Sequence, residues 1–322
     1  MADTKRYTAD FAGLEIPVIE VTGDTPGPLL SVIAGVHGCE YASMAGLRRW
    51  VGGLAARPIR GTVRAVPVVN LPAFWARSPF VVPDDGKNLN RCFPGSPDGT
   101  LAERLADAVF TQVIRGSDAL VDMHAGDLAE SLEPFALYHD GVAEAEAEGL
   151  AAAYGLRYVL RQAPGPAGGV AGSTSAASAA AGIPAITAEA GGCGLVDEAA
   201  VETHVRGLDG VLRYLEMAAG PGAEPGAGDA AAAAAGPVGP PSPAPVYLDS
   251  WVWPRTAAAG WWAPAVRVGE RVTAGQPLGT VSTLDGGTVL EAVTAPRDGV
   301  VLFLTSSPAI AADGLLLGLA SA

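Results

Sequence analysis

Residues 29–40 read Leu29-Leu30-Ser31-Val32-Ile33-Ala34-Gly35-Val36-His37-Gly38-Cys39-Glu40. An apolar run of strand length stops at a turn punctuated by Gly35 and Gly38, and residues 41–55 then follow helical spacing. The same grammar recurs along the chain to about residue 217. Apolar runs at Leu29 to Val36, Val63 to Asn70, Ala119 to His124, Phe135 to Tyr138, Arg157 to Leu160 and Ala185 to Glu189 read as strands. Between and after them, Tyr41 to Ala55, Leu101 to Arg115, Val142 to Tyr154, Thr174 to Ala181 and Glu198 to Met217 read as helices. Thr100 with Glu103 three residues later forms a capping-box signature that fixes one helix start. Alternation of this kind predicts an α/β fold, a mostly parallel sheet with helices on both faces.

In such sheets sites collect at the carboxyl ends of the strands. His37, His124 and Glu189 each stand at or just past such an end, and Glu40 shares a tight segment with His37. Two imidazoles and a carboxylate form the ligand set of a hydrolytic zinc site with an open fourth position. Such a site also needs a proton shuttle for the attacking water and the leaving amine. Glu189, ending the apolar strand Ala185-Ile186-Thr187-Ala188-Glu189, is the candidate, because a carboxylate there is costly unless paired or used. Capping of the turn that follows is the alternative. The loop Lys87-Asn88-Leu89-Asn90-Arg91-Cys92-Phe93-Pro94-Gly95 offers amides and a guanidinium suited to clamping a carboxylate. Arg77 is a second candidate cation, with a surface ion pair as its alternative. His139 and His204 lie in polar contexts and read as surface residues. Cys39, Cys92 and Cys193 form no CxxC pair and read as bystanders.

The formal charge of −14 argues against nucleic acid or an anionic membrane as partner, and no apolar stretch is long enough to span a bilayer. Three cysteines argue against a disulfide framework, and the N-terminus shows no apolar signal core, so the expected setting is the cytoplasm. Three segments are expected: a hydrolase domain at 1–217, an Ala/Gly/Pro-rich linker at 218–245, and a small all-β module at 246–322. Homo-oligomerisation is left open.

The ordered motifs HGxE (37–40), NxNRxFPG (88–95), DxH (122–124) and TxExGG (187–192) resemble those of the succinylglutamate desuccinylase and aspartoacylase family, a branch of the zinc carboxypeptidase-like hydrolases. The resemblance implies a carboxypeptidase-like mixed sheet with one zinc per chain on His37, Glu40 and His124. It implies Glu189 as general acid/base, Asn88, Asn90 and Arg91 at the substrate carboxylate, and Arg77 polarising the scissile carbonyl. Many relatives carry Asp where this chain has Asn88. The Thr-Ala-Glu-Ala-Gly-Gly form of the last motif is more similar to the branch that removes N-acyl groups from diamino acids. Residues 268–279 and 295–301 resemble the barrel of biotinyl and lipoyl carriers, but Leu284 to Glu291 holds no lysine to modify. The module is therefore expected to narrow the site entrance, not to carry a cofactor. The expected activity is zinc-dependent deacylation of a small N-acyl amino acid. A small-peptide metallocarboxypeptidase, a biosynthetic amide hydrolase and a non-catalytic binding protein are the rivals.

Overall fold

The strand ending at Ala34 sits at the centre of a nine-stranded mixed sheet. The computed structural model describes residues 2–163, 171–218 and 244–322. Its strands are β1 (Asp3–Phe11), β2 (Leu14–Thr22), β3 (Thr25–Ala34), β4 (Arg60–Val66), β5 (Ala119–His124), β6 (Glu130–Leu132), β7 (Phe135–His139), β8 (Tyr158–Gln162), β9 (Ala185–Glu189) and β10 (Val246–Leu248). All but β6 form the sheet, in the order β1-β2-β4-β3-β5-β9-β7-β8-β10. Strands β4, β3, β5 and β9 run parallel, whereas β1, β2 and β7 enter antiparallel pairings. The β1–β2 hairpin has no counterpart in the sequence reading. Its charged residues alternate with apolar ones on a strand pair with one wet face, so it lacks the continuous apolar run of the buried strands.

The helices are α1 (Tyr41–Leu54), α2 (Leu71–Ala76), α3 (Leu101–Val109), α4 (Glu144–Tyr154), α5 (Thr174–Ala180) and α6 (Glu198–Tyr214). One face of the sheet packs against α1, α4 and α6 through Leu47, Trp50, Leu150, Leu208 and Val211. The other face packs against α3 and α5 through Leu105, Val109 and Ala177. The capping box at α3 is formed, with the Thr100 amide donating to Glu103 Oε2 at 2.8 Å. The helix then ends at Val109 in a wider π turn over Phe110–Ile114.

Beyond β10 come β11 (Ser250–Val252), β12 (Gly260–Pro264), β13 (Arg271–Val272), β14 (Pro277–Ser282), β15 (Val289–Thr294), β16 (Gly299–Thr305), β17 (Ala309–Ile310) and β18 (Leu317–Ser321). They form two antiparallel sheets around Trp262, Leu278, Val301 and Leu319. Trp262 is buried there, its indole N–H donating to Thr305 O, whereas Trp261 is half exposed. Two connections tie this region to the large sheet. β10 adds to its edge beside β8, and β6 leaves the sheet's rim to pair with β16. Apart from Ala218, Ala244 and Pro245, the segment read as a linker lies outside the described residues. No helix among the described residues is long and apolar enough to cross a membrane.

Candidate active site and metal centre

His37 lies in the turn after β3, Glu40 is the N-cap of α1, and His124 ends β5. Parallel pairing of β3 with β5 delivers both segments to one rim. Gly38 is required there by close approach, since a Cβ would come within 2.3 Å of the Ala73 carbonyl carbon at the start of α2. All three side chains are buried, and one ligand atom from each lies within 4.8 Å of the others, so the set could hold a metal ion.

The hydrogen bonds test that fit. Glu40 Oε1 is 2.6 Å from His37 Nδ1, and Glu40 Oε2 is 2.9 Å from His124 Nδ1. The opposite ring nitrogens face acceptors: His37 Nε2 meets Asn88 Oδ1 at 3.1 Å, and His124 Nε2 meets Asp122 Oδ2 at 2.9 Å. Those acceptors hold the ring proton on Nε2, the usual arrangement behind a metal-bound imidazole. Both Nδ1 lone pairs then point at a carboxylate, which is repulsive unless a cation lies between them. Burial opposes charge on both partners, but Asp122 and Glu40 raise the His124 pKa well above its ordinary value. Glu40, against its own burial, is lowered to about 2 by His124 and His37.

Glu189 pairs in register with His124 across β5 and β9. Among the described residues no hydrogen bond or ion pair reaches its carboxyl. Burial, then the carboxylates Glu40, Glu130 and Asp122, push its pKa up to about 8 against the opposing pull of His124. This is a carboxyl poised to exchange a proton near neutral pH.

The substrate-loop residues divide. Asn88 Oδ1 accepts both from His37 and from the Asn90 amide at 2.8 Å, so its oxygen orients a ligand instead of facing solvent. Asn90 is buried, and its Oδ1 accepts from the Thr174 amide at 3.1 Å. Arg91 lies on the outer side of this loop, and among the described residues no carboxylate pairs with it. Surrounding protein lowers its pKa by desolvation. Among the described residues no hydrogen bond or ion pair joins Arg77 to the triad. It is exposed at the left-handed C-cap of α2 and lines a cavity of about 490 Å³ with Met44, Phe74, Trp75 and Tyr41, the residue directly after Glu40. The helical turn over 71–76 swings it there, a feature that sequence spacing does not encode.

His139 and His204 are buried, contrary to the sequence reading. His204 donates to Ala190 O at 3.1 Å and accepts from the Tyr154 hydroxyl at 2.8 Å, which props up the segment following Glu189. The polar residues around it in sequence lie on the other faces of α6. Asp127 and Glu130 were missed altogether. Asp127 is buried beside the triad, accepting from the Phe80 and Leu128 amides at 3.0 and 2.6 Å. Glu130 accepts from the Asp127 amide at 2.9 Å, and burial, reinforced by Glu40 and Asp127, raises its pKa to about 8. Gly192 allows this approach, because a Cβ there would sit 2.2 Å from Glu130 O. The two glycines after Glu189 were the available signal. The three cysteines are free thiols.

Residues 26–215 match the succinylglutamate desuccinylase/aspartoacylase catalytic domain. Among curated proteins the chain is similar to the N-alpha-acetyl-L-2,4-diaminobutyric acid deacetylase of Halomonas elongata. The two are 29% identical over 299 residues, covering 90% of this chain and 81% of that protein. The product-bound ectoine utilization protein EutE (DoeB) of Ruegeria pomeroyi superposes with a TM-score of 0.81 at 23% identity, covering 100% of this chain and 95% of that one. A succinylglutamate desuccinylase/aspartoacylase from Rhodobacter sphaeroides gives a TM-score of 0.80, with the same identity and coverage. At these identities the likeness to solved structures shows the fold.

Proposed function

The chain belongs to the succinylglutamate desuccinylase/aspartoacylase family, and from that membership we propose that it is a zinc-dependent amidohydrolase that removes the acyl group from a small N-acyl amino acid. His37, Glu40 and His124 would hold the ion, whose chemistry there is to acidify water and polarise the acyl carbonyl. The remaining work falls to the chain's own residues. Glu189 takes the proton from the attacking water and passes it to the amine nitrogen as the C–N bond breaks, leaving a carboxylate and a free amine. Arg91 holds the amino-acid carboxylate through its guanidinium, one nitrogen of which donates to Asn90 O at 2.7 Å. Asn88 and Asn90 hold the loop that presents it. Arg77 is left outside the reacting atoms.

The charge layout supports a diamino acid as the amine product. Burial and neighbouring carboxylates oppose ionisation of Glu130, Asp127 and Glu189, so a substrate ammonium beside them would favour their charged forms and pair with them. The deacetylase of Halomonas elongata is named for such a substrate. We assign the β region at 246–322 the role of shaping this end of the site, because β16 holds β6 and thereby Glu130. A cytoplasmic setting fits the three free thiols.

The carrying observation is the meeting of both Nδ1 atoms on one buried carboxylate, with Glu189 in register beside it. The test is a panel of N-acetyl, N-succinyl and N-formyl amino acids, including Nα-acetyl-2,4-diaminobutyrate, run beside dipeptides. Deacylation that stops on chelation and returns with zinc is expected. Cleavage of dipeptides alone, or full turnover after exhaustive chelation, would overturn the reading.

A further inference from the structure

We propose that Thr174 is a positioning residue that couples the substrate-carboxylate loop to the metal ligand His124. The inference rests on the metal and Arg91 assignments above. Thr174 opens α5 and is fully buried, on an element that supplies none of the reacting groups. It reaches in two directions. Its amide donates to Asn90 Oδ1 at 3.1 Å, and its hydroxyl donates to Asp122 Oδ2. That same oxygen accepts from His124 Nε2 at 2.9 Å, while Asp122 Oδ1 is buried without any partner. The aspartate is therefore oriented through a single oxygen, held by one imidazole and one hydroxyl.

The contact with the loop is reinforced one step away, where the Phe93 amide donates to Gly172 O at 2.9 Å. Residues 172–174 thus grip 90–93 at two points on either side of Arg91. At the far end of the loop, the Asn90 amide donates to Asn88 Oδ1, which accepts from His37 Nε2. The links run His37, Asn88, Asn90, Thr174, Asp122, His124. Both imidazoles are oriented through one chain of buried and half-buried hydrogen bonds, and that chain passes through the loop that carries Arg91. A carboxylate seated on Arg91 would act on the loop, and among the described residues the two bonds of Thr174 carry the loop's hydrogen-bond link to Asp122 and His124. By linkage, metal and carboxylate should each tighten the binding of the other.

The test uses the full chain with Thr174→Val, which keeps shape and the amide but deletes the hydroxyl, and Thr174→Ser, which keeps the hydroxyl. Zinc affinity is measured by chelator competition, with and without saturating free 2,4-diaminobutyrate, and kcat and KM are measured separately. Thr174→Val should bind zinc about 10–100-fold more weakly and lose the tightening by the amino acid, while Thr174→Ser restores both. If valine does not fold, Thr174→Cys, with its weak thiol donor, should fall between wild type and that loss. A folded Thr174→Val (or Thr174→Cys) with wild-type zinc affinity overturns the proposal, as does a serine variant that is equally impaired, which would mean packing alone. Wild-type protein that does not retain zinc would instead defeat the metal assignment itself.

Discussion

Substituting Glu189 with Gln should make the enzyme slower and, once stripped of metal, more stable. The carboxyl accepts no hydrogen bond among the described residues, and burial together with Glu40, Glu130 and Asp122 places its pKa at about 8. In the unfolded chain it returns to its ordinary 4.5. Because the folded value is the higher one, the folded state holds the proton more tightly. Its contribution is fully present below the unfolded value and is lost as pH rises through about 8. The gap corresponds to about 5 kcal/mol against the charged form, and about 3 kcal/mol after allowing for solvent reaching a partly exposed side chain. Glutamine has no such charge. Metal-free Glu189→Gln should therefore exceed wild type by about 3 kcal/mol at pH 9, with the difference shrinking as the pH falls toward 5. Urea unfolding at several pH values reads this directly. With metal restored, kcat should fall by about 10²–10⁴, roughly 3–5 kcal/mol of activation free energy, at unchanged metal content. Loss of metal would make Glu189 a ligand, and retained turnover would remove it from catalysis. Equal stabilities at pH 9 would refute the crowding of carboxylates on which the argument stands.

Elemental analysis should find one zinc per chain, and His124→Ala should abolish both metal retention and activity. Arg91→Ala should cost about 2–5 kcal/mol in kcat/KM on carboxylate substrates and far less on the corresponding uncharged amide; equal losses on both would mark a structural role. Glu130→Gln should lower kcat/KM for amine-bearing substrates by about tenfold relative to N-acyl amino acids without the amine, and an unchanged ratio would remove Glu130 from recognition. Leu302→Ala opens a cavity where β16 packs on Phe135 and Leu160. It should cost about 2–4 kcal/mol by denaturant unfolding, and intact-mass measurement of the wild type should show no biotin or lipoate.

The strands that proved easiest to read are those buried on both faces. Leu29 to Ala34 and Ala119 to His124 are continuous apolar runs because helices cover them above and below, and their ends deliver His37, His124 and Glu189 to one rim. The hairpin β1–β2 and the rim strand β6 were not legible, because a strand with a solvent face or only three residues carries too little periodicity. The same limit hid Glu130, which reaches the site through pairing with a strand more than 160 residues later. Asn88 is legible in the loop motif, but its contact with a ligand residue is not. Only the fold reveals that its oxygen faces an imidazole. Arg77, a cation close in sequence to the site loop, is set by one helical turn on a cavity it shares with Tyr41, a placement that spacing does not encode.

The charges around the triad make the strongest case for what binds there. Glu40, Asp122, Asp127, Glu130 and Glu189 crowd two imidazoles, and among the described residues no lysine or arginine pairs with any of the five. Buried carboxylates left without cations are costly, and three of these five answer by rising pKa instead of by pairing. A chain of net charge −14 supplies no general positive field to relieve them. A cation from outside the polypeptide would favour their charged forms and pair with them. A divalent ion at the imidazoles satisfies Glu40 and leaves Asp122 orienting His124, but it does not account for Glu130 and Asp127 further along the rim. In the proposed reaction a substrate ammonium placed there would, while Arg91, which no carboxylate pairs among the described residues, would meet the carboxylate at the substrate's other end. The proposed cation-bearing amino acid would bring counter-charges to groups that have none of their own among the described residues.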